Sequence, residues 1–327
     1  RSTVGFLATN RQASSDDFGR FVGIDASIAP NDRWGFWSFG GVTRQSEATG
    51  SRDWAGGIGA SWDTDIWHWG GRVLQFGEDF DPQSGFLLRR DFRQYSTGFD
   101  VNPRPDLAAV RNFAFGAGGT VFEDPDDGTT QSIATGANFL GARFESGDFF
   151  TLFYEHRFER LSEPFEIHPG VVLPARGYRW NQVGGVFESS PERPITGRAL
   201  LITGGFFDGD RLTTDLELGW RPSRHFRSET SWVRNDVALS TGGFASDVLR
   251  QRFRVAITPD LDASALIQFN DTAEIVAANV RFNWIYRPGA DLFLVLNQTW
   301  DAPAGPSGLA ARDRRVIVKF TYLVRPG

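Results

Sequence analysis

Arg250, Arg252 and Arg254 alternate along one run, LRQRFRVAI, so on an extended chain all three guanidinium groups project from the same face. Like charges at that spacing repel one another and need water, carboxylates or anions beside them. Asp215, Glu217, Glu229, Glu155 and Glu159 are candidate counter-charges, and Arg281 joins the basic set from a later segment. A second charged constellation is the stretch 77–91, GEDFDPQSGFLLRRD, acidic at Glu78, Asp79 and Asp81 and basic at Arg89 and Arg90. The chemistry open to such groups is electrostatic: they attract, orient or turn away small polar solutes and ions. The plainer reading is a solvated wall of mutually paired charges.

Covalent chemistry finds less support. His68, His156, His168 and His225 show no metal-ligand spacing such as HExxH, and neither GxSxG nor GxxxxGK occurs. A hydrolase would need a Ser or Thr and an acid beside one of these histidines. Asp124, Asp126, Asp127 and Gly128 crowd one stretch as calcium ligands do, without the twelve-residue frame, so a solvated acidic loop is expected instead. The chain has no Cys and therefore neither disulfides nor thiolate metal sites. No enzyme, metal or cofactor is expected. A net charge of -6 and a pI near 5.3 argue against a nucleic-acid binder. Of the 34 basic residues only Lys319 is a lysine.

The elements that must hold these charges are strands. In 276–286, VAANVRFNWIY, Val276, Ala278, Val280, Phe282, Trp284 and Tyr286 share one face, and Ala277, Asn279, Arg281, Asn283 and Ile285 share the other. An amphipathic strand of about ten residues tipped with aromatics is the unit of a membrane-spanning β-barrel. The pattern recurs: Leu212, Leu216, Leu218 and Trp220 oppose Asp215 and Glu217, and Leu249, Phe253 and Val255 oppose the three arginines. It returns in Leu292, Leu294, Leu296 and Trp300, and again in Val316, Val318, Phe320 and Tyr322. No run of about 18 apolar residues exists, which excludes a helical membrane protein, whereas aromatics at 14% suit lipid-facing girdles. Trp220, Trp284, Tyr286, Trp300 and Tyr322 are the candidate girdle.

Turn signals rich in Pro, Gly, Asp and Asn punctuate the chain, alternating between short ones, such as Arg287-Pro288-Gly289, and longer ones, such as 77–91. This sorting predicts an all-β, transmembrane, antiparallel up-and-down β-barrel of about 18 strands, with 16 or 20 as alternatives. Short turns face the periplasm and longer loops the exterior. Residues 1–327 form a single barrel domain with both termini periplasmic. In the first third, glycine pairs (Gly40-Gly41, Gly56-Gly57, Gly70-Gly71, Gly118-Gly119) fall inside strands; they mark curvature or the close approach of an inward-folded loop.

At 77–91 the chain resembles a known family. Asp79-Phe80, Pro82, Gly85-Phe86, Arg89 or Arg90, and Asp91-Phe92 look like the DF-x-P-x-x-GF-x-x-R-x-D signature of bacterial outer-membrane barrels of unknown function. Members of that family carry an N-terminal domain resembling carbohydrate-binding module family 9, so the resemblance implies that this chain is the barrel half. It implies glycan-related or uptake work and supplies no catalytic residues.

The resulting expectation is a channel or uptake barrel for small hydrophilic solutes. Arg250, Arg252, Arg254, Arg281, Asp215, Glu217 and Glu155 line its pore, and Glu78, Asp79, Asp81, Arg89 and Arg90 form its constriction. The alternatives are a non-conducting barrel that anchors a periplasmic module or surface assembly and, third, a barrel-borne hydrolase. Expected partners are outer-membrane lipid and lipopolysaccharide, the barrel-assembly machinery and a periplasmic N-terminal module.

Overall fold

The computed structural model describes residues 2–46, 52–83, 85, 87, 89–303 and 305–323; Phe86 of the loop signature lies outside them. Strands account for almost all of the ordered secondary structure. They are β1 Ser2–Gln12, β2 Phe18–Ile28, β3 Trp34–Gln45, β4 Arg52–Asp63, β5 Trp67–Phe76, β6 Phe92–Val101, β7 Val110–Phe113, β8 Phe115–Glu123, β9 Thr130–Phe144 and β10 Phe149–Arg160. After a short hairpin of β11 Phe165–His168 and β12 Val171–Leu173 come β13 Gly177–Glu188, β14 Ile195–Phe206, β15 Gly209–Ser223 and β16 Phe226–Leu239. The last are β17 Gly242–Thr258, β18 Leu261–Asn270, β19 Ile275–Arg287, β20 Ala290–Asp301 and β21 Ala310–Phe320.

Nineteen of these strands lie in antiparallel ladders, and β11 and β12 form a separate two-stranded sheet. β7 and β8 are one strand interrupted at Ala114, so counting them together gives the expected eighteen. The fold class is that of the all-β, transmembrane, antiparallel up-and-down barrel. The chain divides into two compact units, residues 1–142 with 152–182 and residues 143–151 with 183–327.

Period-two patterning decides which face each side chain takes. In the first unit Phe6 pairs with Ile24 and Val4 with Ala26, and the large apolar side chains on that face stay exposed, Phe6 at 72% and Ile58 at 63%. In the second unit Leu218 and Phe320 are exposed at 56% and 65%. Rows of open Phe, Leu, Ile and Val are untenable in water and natural against acyl chains, so this is the lipid face. The opposite side is called the inner face below.

Aromatics mark the borders of the lipid face. Trp34 lies 6.5 Å from Trp62 and 6.4 Å from Trp69, all beside the turns at 29–33 and 64–66. In the second unit Trp284 meets Tyr286 edge-on at 6.0 Å, Tyr286 stacks on Phe320 at 5.5 Å, and the Arg287 guanidinium sits 3.9 Å from the Tyr322 ring centre. Trp220 packs on Phe226 at 5.7 Å near the turn at 224–225. Trp300 pairs with Val276 at the other end of its strand, so it belongs to the opposite border.

Connections on the two sides differ most in the first unit, where 77–91 and 161–176 face tight turns such as 64–66 across the strands. In the second unit the connections at 207–208 and 240–241 are only two residues long. The extra chain there lies in the ladders instead: β15, β16 and β17 have 15, 14 and 17 residues, against the ten or so that cross a bilayer. Beyond the apolar rows their lipid-side positions turn charged. Arg234 pairs with Asp236 and Asp247, and the Trp232 Nε1–H donates to Asp247 at 2.7 Å.

Glycine shapes the inner face of the first unit. Gly70, Gly98, Gly118 and Gly136 face one another across β5, β6, β8 and β9. A methyl group on Gly118 would lie 2.8 Å from the Thr97 carbonyl oxygen, and one on Gly136 2.8 Å from that of Tyr154. At these two positions the sheet is bent too tightly for any side chain.

Candidate functional sites on the inner face

Two arrangements occupy the inner faces, one in each unit. The first is the stretch 77–91, whose described residues fold onto the inner face of their own unit. Phe80 is 4% exposed and meets Phe21 at 6.2 Å and Phe76 at 5.6 Å, both edge-on. Phe76 stacks on Phe92 at 5.1 Å, and Phe92 meets Phe122 at 5.4 Å. The loop is thus anchored by one aromatic plug in a belt contributed by four strands.

Polar contacts fix the rest of the loop. The Asp79 N–H donates to Asp53 Oδ2 at 2.9 Å, and the Asp81 N–H to the buried Thr43 Oγ1 at 3.4 Å. The Asp81 carboxylate takes the Gln83 N–H and pairs with Arg90 at 2.9 Å. Arg11 reaches from β1 to Gln83 Oε1 at 3.0 Å, and Arg89 lies 4.8 Å over the Phe122 ring while donating to Ser132 at 3.1 Å. Of the five residues expected to form a charged constriction, Arg89 and the Asp79 and Asp81 backbones thus reach the strands, while the Asp81 and Arg90 side chains pair within the loop. Asp91, at its end, has its pKa raised by burial and then by the neighbouring carboxylates of Asp124, Glu78, Asp126 and Asp53.

The second arrangement is a wall of guanidinium groups. Arg250, Arg252 and Arg254 project from the inner face of β17, opposite Ser231, Glu229 and Arg227 of β16 and Gln268, Leu266 and Ser264 of β18. Arg281 stands opposite Ser264 on the next strand. Glu229 holds Arg227 at 2.6 Å and Arg252 at 3.8 Å. Among the described residues Arg250, Arg254 and Arg281 make no ion pair.

The other expected counter-charges work elsewhere. Asp215 pairs with Arg198 at 2.8 Å, and Glu217 stands opposite Arg198 in the ladder. Glu155 pairs with Arg157 of its own strand at 3.0 Å. Sequence reasoning passed over Arg227, although it alternates with Glu229 in FRSETSW and so shares that face. It also passed over the inner aromatic belt, two members of which, Phe76 and Phe92, directly flank the stretch 77–91 in sequence.

The remaining constellations make local contacts. The Asp124 carboxylate accepts the N–H groups of Asp126 and Asp127, and Asp127 accepts that of Thr129, so these acids close a turn in which Gly128 has φ +73°. His68 faces Asp63 at 3.2 Å, His156 faces Asn181 at 2.8 Å, and His225 faces the Ala256 carbonyl at 2.7 Å.

No family model and no curated protein matches the chain. Solved structures similar to it include a mutant of the ferric enterobactin receptor PfeA from Pseudomonas aeruginosa, with 8% identity and a TM-score of 0.45 over 97% of this chain and 71% of that one. The siderophore receptor PirA from Pseudomonas aeruginosa gives 11% identity and a TM-score of 0.46, covering 91% of this chain and 70% of that one. PirA from Acinetobacter baumannii gives 9% and 0.44, covering 97% and 73%.

Proposed function

We propose that this protein is an outer-membrane uptake barrel for small hydrophilic solutes, with both termini in the periplasm and a preference for anions. The observation that carries the reading is the imbalance on the inner face of the second unit. Five arginines, Arg227, Arg250, Arg252, Arg254 and Arg281, gather on three of four neighbouring strands, β16, β17 and β19, and among the described residues Glu229 is the one carboxylate ion-paired with any of them. Unneutralised guanidinium groups along a water-filled path lower the barrier for anions and raise it for cations. The reading assigns the chain no catalytic step. The resemblance of 77–91 to barrels that follow a carbohydrate-binding module adds glycan-related solutes and a periplasmic module as partner.

Reconstitution in planar bilayers tests it. The native barrel is expected to conduct and to prefer anions. Replacing Arg250, Arg252 and Arg254 together by Gln should move the reversal potential toward cation preference, and an unchanged potential would reduce the wall to a solvated surface. A non-conducting anchor barrel is the second reading, favoured by the way 77–91 is fastened over the inner face. Folded protein without any conductance would select it.

A further inference from the structure

On the inner face of the second unit, toward the turn at 259–260, lies a cavity of about 510 Å³ lined by Arg254, Asp262, Ser264, Arg281, Asn283 and Phe293. The ladder registers arrange these residues in two rows. In the first, Arg254, Ser264 and Arg281 stand directly opposite one another on β17, β18 and β19, so a hydroxyl sits between two guanidinium groups. In the second, Asp262, Asn283, Phe293 and Lys319 follow one another on β18, β19, β20 and β21. Asn283 Nδ2 donates to Asp262 Oδ1 at 3.3 Å and holds that carboxylate in place. Arg281 spends its Nε–H on Asn279 Oδ1 at 2.7 Å and keeps its terminal nitrogens.

Neighbouring strands are about 4.8 Å apart, so Arg254 and Arg281 flank Ser264 at a distance that two long side chains close easily around one carboxylate. Asp262 is the difficulty for a purely anionic ligand, because it repels phosphate and accepts only from donors such as hydroxyl groups. Phe293 adds an apolar surface of the kind that receives the C–H face of a ring.

We propose that this cavity is a subsite for a polyhydroxylated carboxylate of the acidic-sugar type. Its carboxylate lies between Arg254 and Arg281 and accepts from Ser264; its hydroxyls donate to Asp262; and its ring rests on Phe293. A neutral sugar leaves both guanidinium groups unanswered, acetate leaves Asp262 and Phe293 idle, and phosphate meets Asp262 unfavourably. The proposal rests on the uptake reading above and names the solute class for it.

The test uses the full chain folded in detergent, with glucuronate, glucose, acetate and inorganic phosphate as calorimetric probes, followed by block of bilayer current by the same four. Glucuronate is expected to bind at least about tenfold more tightly than the other three, the effect of one well-made charged contact. Arg254→Gln and Arg281→Gln should each weaken glucuronate about tenfold, whereas Asp262→Asn should weaken glucuronate and strengthen phosphate. The heat-shifted gel mobility of a folded barrel confirms that each variant is intact, and Arg254→Lys, which keeps the charge, should recover part of the binding. Equal binding of acetate and glucuronate, or unchanged glucuronate binding in folded Arg254→Gln and Arg281→Gln, would overturn the subsite. Selective glucuronate binding without conductance would uphold the subsite and defeat the uptake reading; conductance without selectivity would do the reverse.

Discussion

The two units use the same antiparallel ladder to build inner faces of opposite character. In the first unit glycine rows and aromatic side chains alternate, and a fifteen-residue connection, 77–91, packs Phe80 among Phe21, Phe76 and Phe92. In the second, strands of up to 17 residues run into two-residue turns, and the inner face carries guanidinium groups beside Ser, Asn and carboxylates. The difference teaches that what a barrel strand presents inward depends on what must lie against it. An apolar, small-residue surface receives polypeptide, whereas a charged one with open space receives water and solute.

Removing the plug is the strongest way to break the contrast. Phe80→Ala should cost about 3–5 kcal/mol of loop docking. It is expected to expose 77–91 to limited proteolysis while leaving the second unit's ladders protected in hydrogen exchange. A loop that stays resistant would mean that its polar contacts suffice.

Next in size is the bend. Gly118→Ala places a methyl 2.8 Å from a backbone oxygen and should destabilise the first unit by about 1–3 kcal/mol. Gly197→Ala, in the second unit, meets nothing closer than the Glu217 carbonyl oxygen at 3.9 Å and should be tolerated. Comparing the two variants by denaturant unfolding in micelles measures the cost of the backbone approach at Gly118.

The smallest effect concerns acid. Asp91 has a folded pKa raised above 3.8, so its ionised form weighs against the loop at neutral pH. Its contribution is most favourable below the unfolded value and is lost as pH rises through the folded one. Asp148, in the turn at 145–148 of the second unit, accepts from Ser146, from the Ser190 N–H and from Arg193, and its pKa is lowered from 3.8. Its contribution is present above the unfolded value and is lost as pH falls through the folded one. Acidification should therefore raise the amide protection factors, corrected for intrinsic exchange, around Asp91 first, and lower those around Ser190 only at a pH below the ordinary carboxylate range; loss of protection at both together would contradict the assignment.

Strand character, facing and the position of the arginine column were legible because period two leaves no freedom: a residue's parity fixes its face. Arg250, Arg252 and Arg254 oppose Leu249, Phe253 and Val255 for that reason alone. Glu229 was among five candidate acids, but which of the five meets those arginines was not legible. Cross-strand neighbours depend on register, so Glu229 and not Asp215 meets Arg252. Nor was the role of the charges in 77–91, since Asp81 and Arg90 answer each other within the loop. The anchor lay in an apolar residue of the signature, Phe80, which packs between the adjacent Phe76 and the sequence-distant Phe21.

The line of Gly70, Gly98, Gly118 and Gly136 has a mechanical consequence. Side chains stiffen a sheet by jamming against their neighbours when it curls, and four facing glycines remove that resistance along one line. The wall is creased there as card is scored before folding. Bending of this wall is expected to concentrate along that line, where no side chains oppose it.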